Sequence, residues 1–207
     1  MTTTALFTFV AALFSMMNPI GGVGIFAGMT AENTADEARA IARKCALAAA
    51  ITLLIVIWAG GITLKLFGIT VDEIRAAGGL IVLLIGLHML FNKDEHKTSE
   101  AESSKSGSIA VVPLAIPLVA GPGTMATVLV AAEHHGSAVA RIELSIAALS
   151  ICLLTGILFS FAGPIAKRLG ESGMAVVSRI MGMVLMAIAA GMLAEGLKGM
   201  FPVLAAG

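Results

Sequence analysis

The chain has 207 residues, of which 58% are hydrophobic and only 13% are charged. Soluble domains are closer to half apolar and a quarter charged, so this composition excludes a soluble globular protein. The 13 Lys and Arg residues balance the 13 Asp and Glu residues, and the chain therefore lacks the basic field that a nucleic-acid partner would require.

Six stretches with few charged residues follow one another along the chain. A helix needs about 20 mostly apolar residues to cross the hydrocarbon of a bilayer, so each stretch predicts one membrane span. Spans 1 to 6 are predicted at residues 2–31, 45–64, 76–92, 106–132, 144–166 and 174–194. We therefore expect an all-α integral membrane protein with six transmembrane helices.

Residues 92–107 are the main hydrophilic stretch, rich in Ser, Glu and Lys. Such a composition does not build a core, so we expect a cytoplasmic linker between residues 1–91 and residues 108–207. Lys and Arg accumulate in cytoplasmic loops. With the N-terminus outside, nine of the 13 Lys and Arg residues lie inside and four outside. The sequence thus predicts that both termini lie outside and the linker inside.

The two predicted halves contain an internal repeat at an offset of about 103 residues. Residues 18–21 (NPIG) align with residues 121–124 (GPGT), and residues 58–60 (WAG) align with residues 161–163 (FAG) at the same offset. A repeat unit with three spans must insert its second copy upside down, so we expect a 3+3 inverted repeat, as in many secondary transporters. The alternative is a helical bundle with coincidental Gly-Pro pairs.

Spans 1 and 4 each contain proline and glycine near the middle. Proline removes a backbone donor and clashes with the preceding turn, and glycine lowers the cost of unwinding. The sequence therefore predicts that helices 1 and 4 are broken near Pro19 and Pro122. Freed backbone groups at membrane depth are tolerated only in protein or in a wet cavity, which favours a transport site. The alternative is a pair of kinks that serve packing only.

Neutral groups dominate the chemistry at these two breaks. Half-helix N-termini suit a carboxylate, and freed carbonyls suit an ammonium group or Na⁺. We expect Asn18 and Thr124 to orient a substrate, the glycines to let backbone approach it, and the prolines to hold the breaks open. The predicted substrate-binding residues are Asn18, Pro19, Gly21, Gly22, Gly121, Pro122, Gly123 and Thr124.

Other polar residues are weaker candidates. His88 near the end of span 3 is the next residue to consider, as a proton relay, because imidazole is a common proton-transfer group. Glu195 lies within reach of the interface, and the Glu133-His134-His135 string is interpreted as a wet loop. We expect no catalytic residue, no metal site and no cofactor.

The strings MNPIG at residues 17–21 and PLAIPLVAGPG at residues 113–123, together with the six-span layout, resemble the MarC family over residues 4–199. The resemblance implies a bacterial or archaeal inner-membrane protein related to the small neutral amino acid transporter SnatA. It places the family's motifs on residues 18–21 and on Pro117, Gly121, Pro122 and Gly123. Many members have Asp in place of Asn18, so this chain lacks a carboxylate that could bind a coupling cation at that position.

The sequence and the resemblance together favour a secondary transporter of small neutral amino acids or similar small polar solutes. Its partners would be that solute and the lipid bilayer, with Na⁺ or H⁺ as the candidate coupling ion and a homo-oligomer as an open alternative. The rival interpretations are an intramembrane enzyme, which would need a nucleophile–base pair or a metal cluster, and a passive channel or structural membrane protein.

Overall fold

The computed structural model describes residues 2–31, 33–91, 119–201 and 203. Within these ranges the protein is helical and contains no strand. The helices are α1 (Thr3–Met17), α2 (Pro19–Met29), α3 (Ala35–Phe67), α4 (Val71–Phe91), α5 (Pro122–His135), α6 (Ala138–Ser160) and α7 (Ala162–Met200). Helix α7 is kinked at Gly170, where φ is 65° and ψ is 175°.

Five helical stretches of the described chain are long and apolar enough to cross a membrane: Thr3–Met29, Ala35–Phe67, Val71–Phe91, Ala138–Ser160 and Ser172–Met200. They correspond to predicted spans 1, 2, 3, 5 and 6. The first 13 residues of predicted span 4 (106–118), and the whole of the predicted linker at 92–107, lie outside the described residues. Helix α5 is the described part of span 4, and its 14 residues would reach roughly 21 Å.

The outer surface of the bundle is apolar. Along α3 the side chains of Leu47, Ile51, Ile55 and Ile62 are each at least half exposed, at spacings that keep them on one face of the helix. A soluble monomer rarely exposes so continuous an apolar surface. The protein is a multi-pass integral membrane protein.

Helix boundaries extend beyond the predicted spans where charged residues cap them. Helix α3 begins at Ala35, ten residues before the predicted Cys45. The Thr34 hydroxyl accepts from the Glu37 N–H at 3.3 Å and the Glu37 carboxylate accepts from the Thr34 N–H at 2.8 Å, which forms a capping box. The charge-free run therefore underestimated the helix, because its polar first turns lie beyond the hydrocarbon.

The ends of the helices lie at two opposite faces of the bundle. The beginnings of α1 and α4 meet the ends of α5 and α7 around one pocket, and we call this side the terminal face. The end of α2, the beginning of α3, the end of α6 and the beginning of α7 meet around another pocket, on the opposite face. Each of the five spanning stretches thus runs from one face to the other.

Helices α4 and α7 pack with their backbones close together. A Cβ atom on Gly86 would lie 2.9 Å from the Gly182 carbonyl oxygen, and one on Gly79 would lie 3.0 Å from the Ala189 carbonyl oxygen. Such small residues allow close helix contact in membranes. Helix α3 packs in the same way along α6, where the Trp58 indole N–H donates to the Ser145 hydroxyl at 3.2 Å. The two broken spans lie between these helix pairs.

Candidate functional site

Span 1 is interrupted at Asn18, as the sequence predicts. Helix α1 ends at Met17 and α2 begins at Pro19, with Asn18 between them in the left-handed conformation (φ 43°, ψ 53°). Asn is one of the few residues that adopt this conformation readily. The Asn18 Oδ1 atom accepts from the Gly21 N–H at 3.2 Å, which caps α2, and Nδ2 donates to the Met89 Sδ atom at 3.5 Å.

The interruption changes which backbone groups have helical partners. In a continuous helix the Ser15 carbonyl would accept from residue 19, but Pro19 has no N–H. The Met17 carbonyl would accept from Gly21, whose N–H turns to the Asn18 side chain instead. The end of α1 therefore presents carbonyl acceptors, with the negative end of its dipole, at the break.

Span 4 is interrupted between Val119 and Pro122. Val119 is helical, Ala120 and Gly121 are not, and α5 begins with Pro122 at its first position. No side-chain hydrogen bond from the described residues caps this helix, so its first-turn N–H groups face the break with the positive end of the dipole. The Thr124 side chain is buried here, and its hydroxyl lies 3.4 Å from the Val119 carbonyl oxygen.

Both breaks open into one cavity of about 490 Å³, which we call the central cavity. The helices that enclose it are α1 and α2 at the first break, α4, the start of α5, and one turn of α7. Of the residues predicted for substrate binding, five line the cavity: Asn18, Gly22, Gly121, Gly123 and Thr124. Sequence positions about 100 residues apart are thus brought together.

The other three predicted residues do not line this cavity. Pro19 is buried and starts α2, Gly21 lies under the Asn18 side chain, and Pro122 faces a separate pocket beside α3. The two prolines begin their helices at corresponding positions, where the missing N–H costs little. Their role at the breaks is therefore to start helices.

At each break, a glycine packs closely against a neighbouring side chain. A Cβ atom on Gly22 would lie 2.9 Å from the Phe159 Cζ atom, and one on Gly123 would collide with the Val82 side chain. These contacts give both glycines a packing role. Both also line the central cavity, so the approach of a substrate to their backbone stays a prediction. A large residue at Gly123 would therefore disturb the fold as well as the cavity.

Helix α4 supplies much of the cavity wall, which the sequence analysis did not predict. Its contribution includes Val82, Ile85, His88 and Met89, of which only His88 stood out as polar. The apolar members have the composition of any membrane helix, so no sequence signal separated lining residues from packing residues. The remaining wall is mostly apolar, with methionines from the end of α1.

Glu133 lies within α5 and not in a wet loop, which corrects the interpretation of the Glu133-His134-His135 string. Its carboxylate accepts from the Arg141 guanidinium at 3.2 Å, and both side chains are mostly buried, at 19% and 25% exposed. The pair joins the end of α5 to the start of α6. Arg75 makes a comparable link, with its guanidinium 3.4 Å from the Glu195 carboxylate of α7.

These features define a class of protein: a helical multi-pass membrane protein in which two interrupted spans share one cavity. The chain belongs to the MarC family, since residues 3–201 match the family described as MarC family integral membrane protein.

Its relatives share the full length of the chain. The "UPF0056 membrane protein YvbG" of Bacillus subtilis (strain 168) is 40% identical over 200 residues, covering 93% of this chain and 94% of the relative. The "UPF0056 membrane protein YhcE" of Escherichia coli (strain K12) is 35% identical over 200 residues, covering 95% and 93%. A "UPF0056 membrane protein" of Pyrococcus abyssi is 32% identical over 189 residues, covering 91% and 92%. No solved structure matches the chain.

Proposed function

We propose that the protein is a secondary transporter of small neutral amino acids or similar small polar solutes, and not an enzyme. The observation that carries the proposal is that both broken spans open into the same central cavity. Broken helices in corresponding positions of two halves are the arrangement from which many transporters build their substrate sites. A kink used only for packing would not require a shared cavity.

The two ends of a zwitterion find complementary groups at the two breaks. The first turn of α5, without a side-chain cap from the described residues, offers N–H groups and a positive dipole end to a carboxylate. The end of α1 offers the Met17 carbonyl, at the wall of the cavity, to an ammonium group. Asn18 supplies an amide whose Nδ2 donates to a thioether sulfur, a weak acceptor that a substrate oxygen can replace.

The rest of the lining favours a neutral solute. The cavity of about 490 Å³ has no Asp, Glu, Lys or Arg among its lining residues, and His88 is its only ionisable side chain apart from chain positions outside the described ranges. A charged substrate side chain would have no partner in such a wall and would be costly to bury. Apolar or small polar side chains fit it, and cavities of this size commonly hold small molecules.

The packing supports the proposed 3+3 inverted repeat. Pro19 and Pro122, 103 residues apart, each occupy the first turn of a half-helix that starts at a break. Gly79 of span 3 contacts Ala189 of span 6. The residue 103 positions after Gly79 is Gly182, the residue 103 positions before Ala189 is Gly86, and these two also contact each other. A two-fold relation between the halves produces such exchanged pairs. Two halves of this kind would allow alternating access.

We further propose the cytoplasmic membrane as the location, with the terminal face outside. The opposite face carries Arg39, Arg43, Lys44, Lys167 and Arg168 in or beside the ends of α2, α3, α6 and α7. The terminal face carries Lys65, Arg75, Arg141 and Lys198. The positive-inside rule therefore favours a cytoplasmic opposite face. The coupling ion, Na⁺ or H⁺, remains part of the proposal.

Counterflow in proteoliposomes tests the function. Vesicles loaded with unlabelled alanine or glycine should accumulate the radiolabelled solute transiently, because exchange on a carrier needs no net driving force. Empty vesicles, and loaded vesicles containing no protein, are the controls. A passive channel would let label equilibrate without overshoot, and an intramembrane enzyme would return chemically altered label. Either result, or the absence of uptake for all neutral amino acids, would contradict the proposal.

A further inference from the structure

A second cavity of about 520 Å³ opens at the terminal face, and we call it the vestibule. It lies between the first half of α1, the end of α5, and the regions where α4 begins and α7 ends. Its polar lining differs from that of the central cavity, because it contains the Arg75–Glu195 ion pair, Thr127, His134 and His135. Glu195 is 70% exposed and Arg75 is 19% exposed.

The vestibule and the central cavity lie end to end along the same three helices. On α5 the central cavity is lined by Thr124 and the vestibule by Thr127; on α7 the corresponding residues are Leu185 and Ile188. On α1 they are Met16 and Ala12. In each helix the two lining positions are three or four residues apart, so the barrier between the cavities is about one helical turn, roughly 5 Å, thick.

Apolar side chains form this barrier, which we call the septum. It consists of Met16, Val82, Leu185 and Ala189, which pack together in one buried cluster. Three helices contribute to it, α1, α4 and α7, and none of its members carries a polar side-chain group. Since apolar side chains fill this barrier, a shift of one helix pair relative to the others would join the cavities. Met16 has the flexible side chain best suited to such a change.

The two cavities are also related by the repeat. Ile85 and Met89 line the central cavity, and Ile188 and Met192, each 103 residues further on, line the vestibule. An inverted repeat turns a cavity open to one face into a cavity open to the other, with corresponding residues in the wall. The vestibule therefore occupies the place that the second half of a substrate pathway would take.

We propose that the vestibule is the outer half of the substrate pathway and that the septum is the gate between it and the central cavity. The inference rests on the proposed transport function. The Arg75–Glu195 pair, whose guanidinium also lies 3.6 Å from the Asp72 carboxylate, presents both signs of charge to a zwitterion's carboxylate and ammonium groups. A neutral amino acid meets this pair first, and crosses the septum to reach the two breaks.

Cysteine labelling of the full chain in oriented membrane vesicles tests the pathway. The native Cys45 and Cys152 are buried and are replaced by Ala. The reporters are the repeat-related Ile85→Cys in the central cavity and Ile188→Cys in the vestibule. A charged, membrane-impermeant methanethiosulfonate should label Ile188→Cys from the terminal face and Ile85→Cys from the opposite face.

Shortening the septum should then connect the two cavities. With Met16→Ala or Leu185→Ala added, labelling of Ile85→Cys from the terminal face should rise several-fold. The matched control is Met183→Ala, which removes the same side chain from a position on α7 that is 56% exposed and should leave labelling unchanged.

Two results would overturn the proposal. One is an unreactive Ile188→Cys in the protein with an intact septum. This result is decisive even if the Met16→Ala and Leu185→Ala proteins fail to fold. The other is unchanged labelling of Ile85→Cys in a folded Met16→Ala or Leu185→Ala protein. Labelling needs no transported solute, so the two proposals fail separately. If the protein carries out counterflow but labelling does not change, only the pathway is rejected. If labelling changes but there is no counterflow, the transport function is rejected.

Discussion

Replacement of Asn18 separates its structural role from its proposed role at the substrate. The residue does three things: it adopts a left-handed backbone conformation, it caps α2 through its side-chain oxygen, and it presents its amide to the central cavity. Asn18→Ala removes the cap and the amide and is strained in the left-handed conformation. Asn18→Gly keeps the backbone conformation, since glycine adopts positive φ freely, and removes the side chain alone.

The two substitutions should differ in their effect on stability. Replacing a capping Asn by Ala costs about 1 kcal/mol, and by Gly only a few tenths. Forcing Ala into the left-handed region at φ 43° adds roughly 1–2 kcal/mol. We therefore expect Asn18→Ala to lose about 2–3 kcal/mol of unfolding free energy and Asn18→Gly well under 1 kcal/mol.

Their effect on transport should be similar, because both lose the same amide. One orienting hydrogen bond contributes on the order of 1 kcal/mol, which corresponds to about a fivefold rise in the half-saturating alanine concentration. Counterflow kinetics and thermal unfolding in detergent measure the two effects on the same preparation. A Gly variant with wild-type transport would show that Asn18 only shapes the chain, and that the reasoning about its amide is wrong.

Three further predictions concern helix packing, membrane topology and the ion pair that joins α5 to α6. Gly86→Ala should lower the melting temperature by overpacking the α4–α7 contact, at a cost of about 1–3 kcal/mol. Gly28→Ala is the control and should not lower it, because no neighbouring atom lies within 4 Å of the added Cβ. Equal effects of the two substitutions would contradict the close contact of α4 with α7. Ala35→Cys and Ala138→Cys, at exposed helix starts on opposite faces, should react with an impermeant thiol reagent from inside and outside respectively, and the reverse pattern would invert the proposed orientation. Glu133→Gln should lower stability by weakening its pairing with Arg141, and the double variant with Arg141→Gln should be less harmful than the two single effects added together; strict additivity would mean that the pair is not coupled.

The membrane character, the helical class and the break positions could be predicted from the sequence for physical reasons. A charge-free run of about 20 residues has few stable environments other than the bilayer, and Asn18-Pro19 combines a residue that accepts left-handed geometry with one that cannot donate. The helix ends were harder to predict, because a capping box such as Thr34–Glu37 extends a helix into the polar interface where charge no longer marks a boundary.

The walls of the site were beyond sequence reasoning. Val82 and Leu185 have the same apolar character as dozens of lipid-facing residues, and only the crossing of α4 and α7 beside the breaks makes them cavity residues. The glycines were ambiguous in a related way, since a bare backbone serves a substrate or a neighbouring side chain equally well. The contact of Gly123 with Val82 shows a packing role, which depends on a tertiary arrangement that local spacing does not encode.

Substrate protection of a cavity cysteine tests the central claim, that the cavity between the two breaks holds the transported solute. In the cysteine-free background, alkylation of Ile85→Cys is followed as alanine is raised, with Ala35→Cys outside the cavity as the control. The account predicts that alanine slows alkylation of Ile85→Cys alone, with half-protection at the concentration that half-saturates counterflow. Equal alkylation rates with and without alanine, in protein that still carries out counterflow, would contradict it.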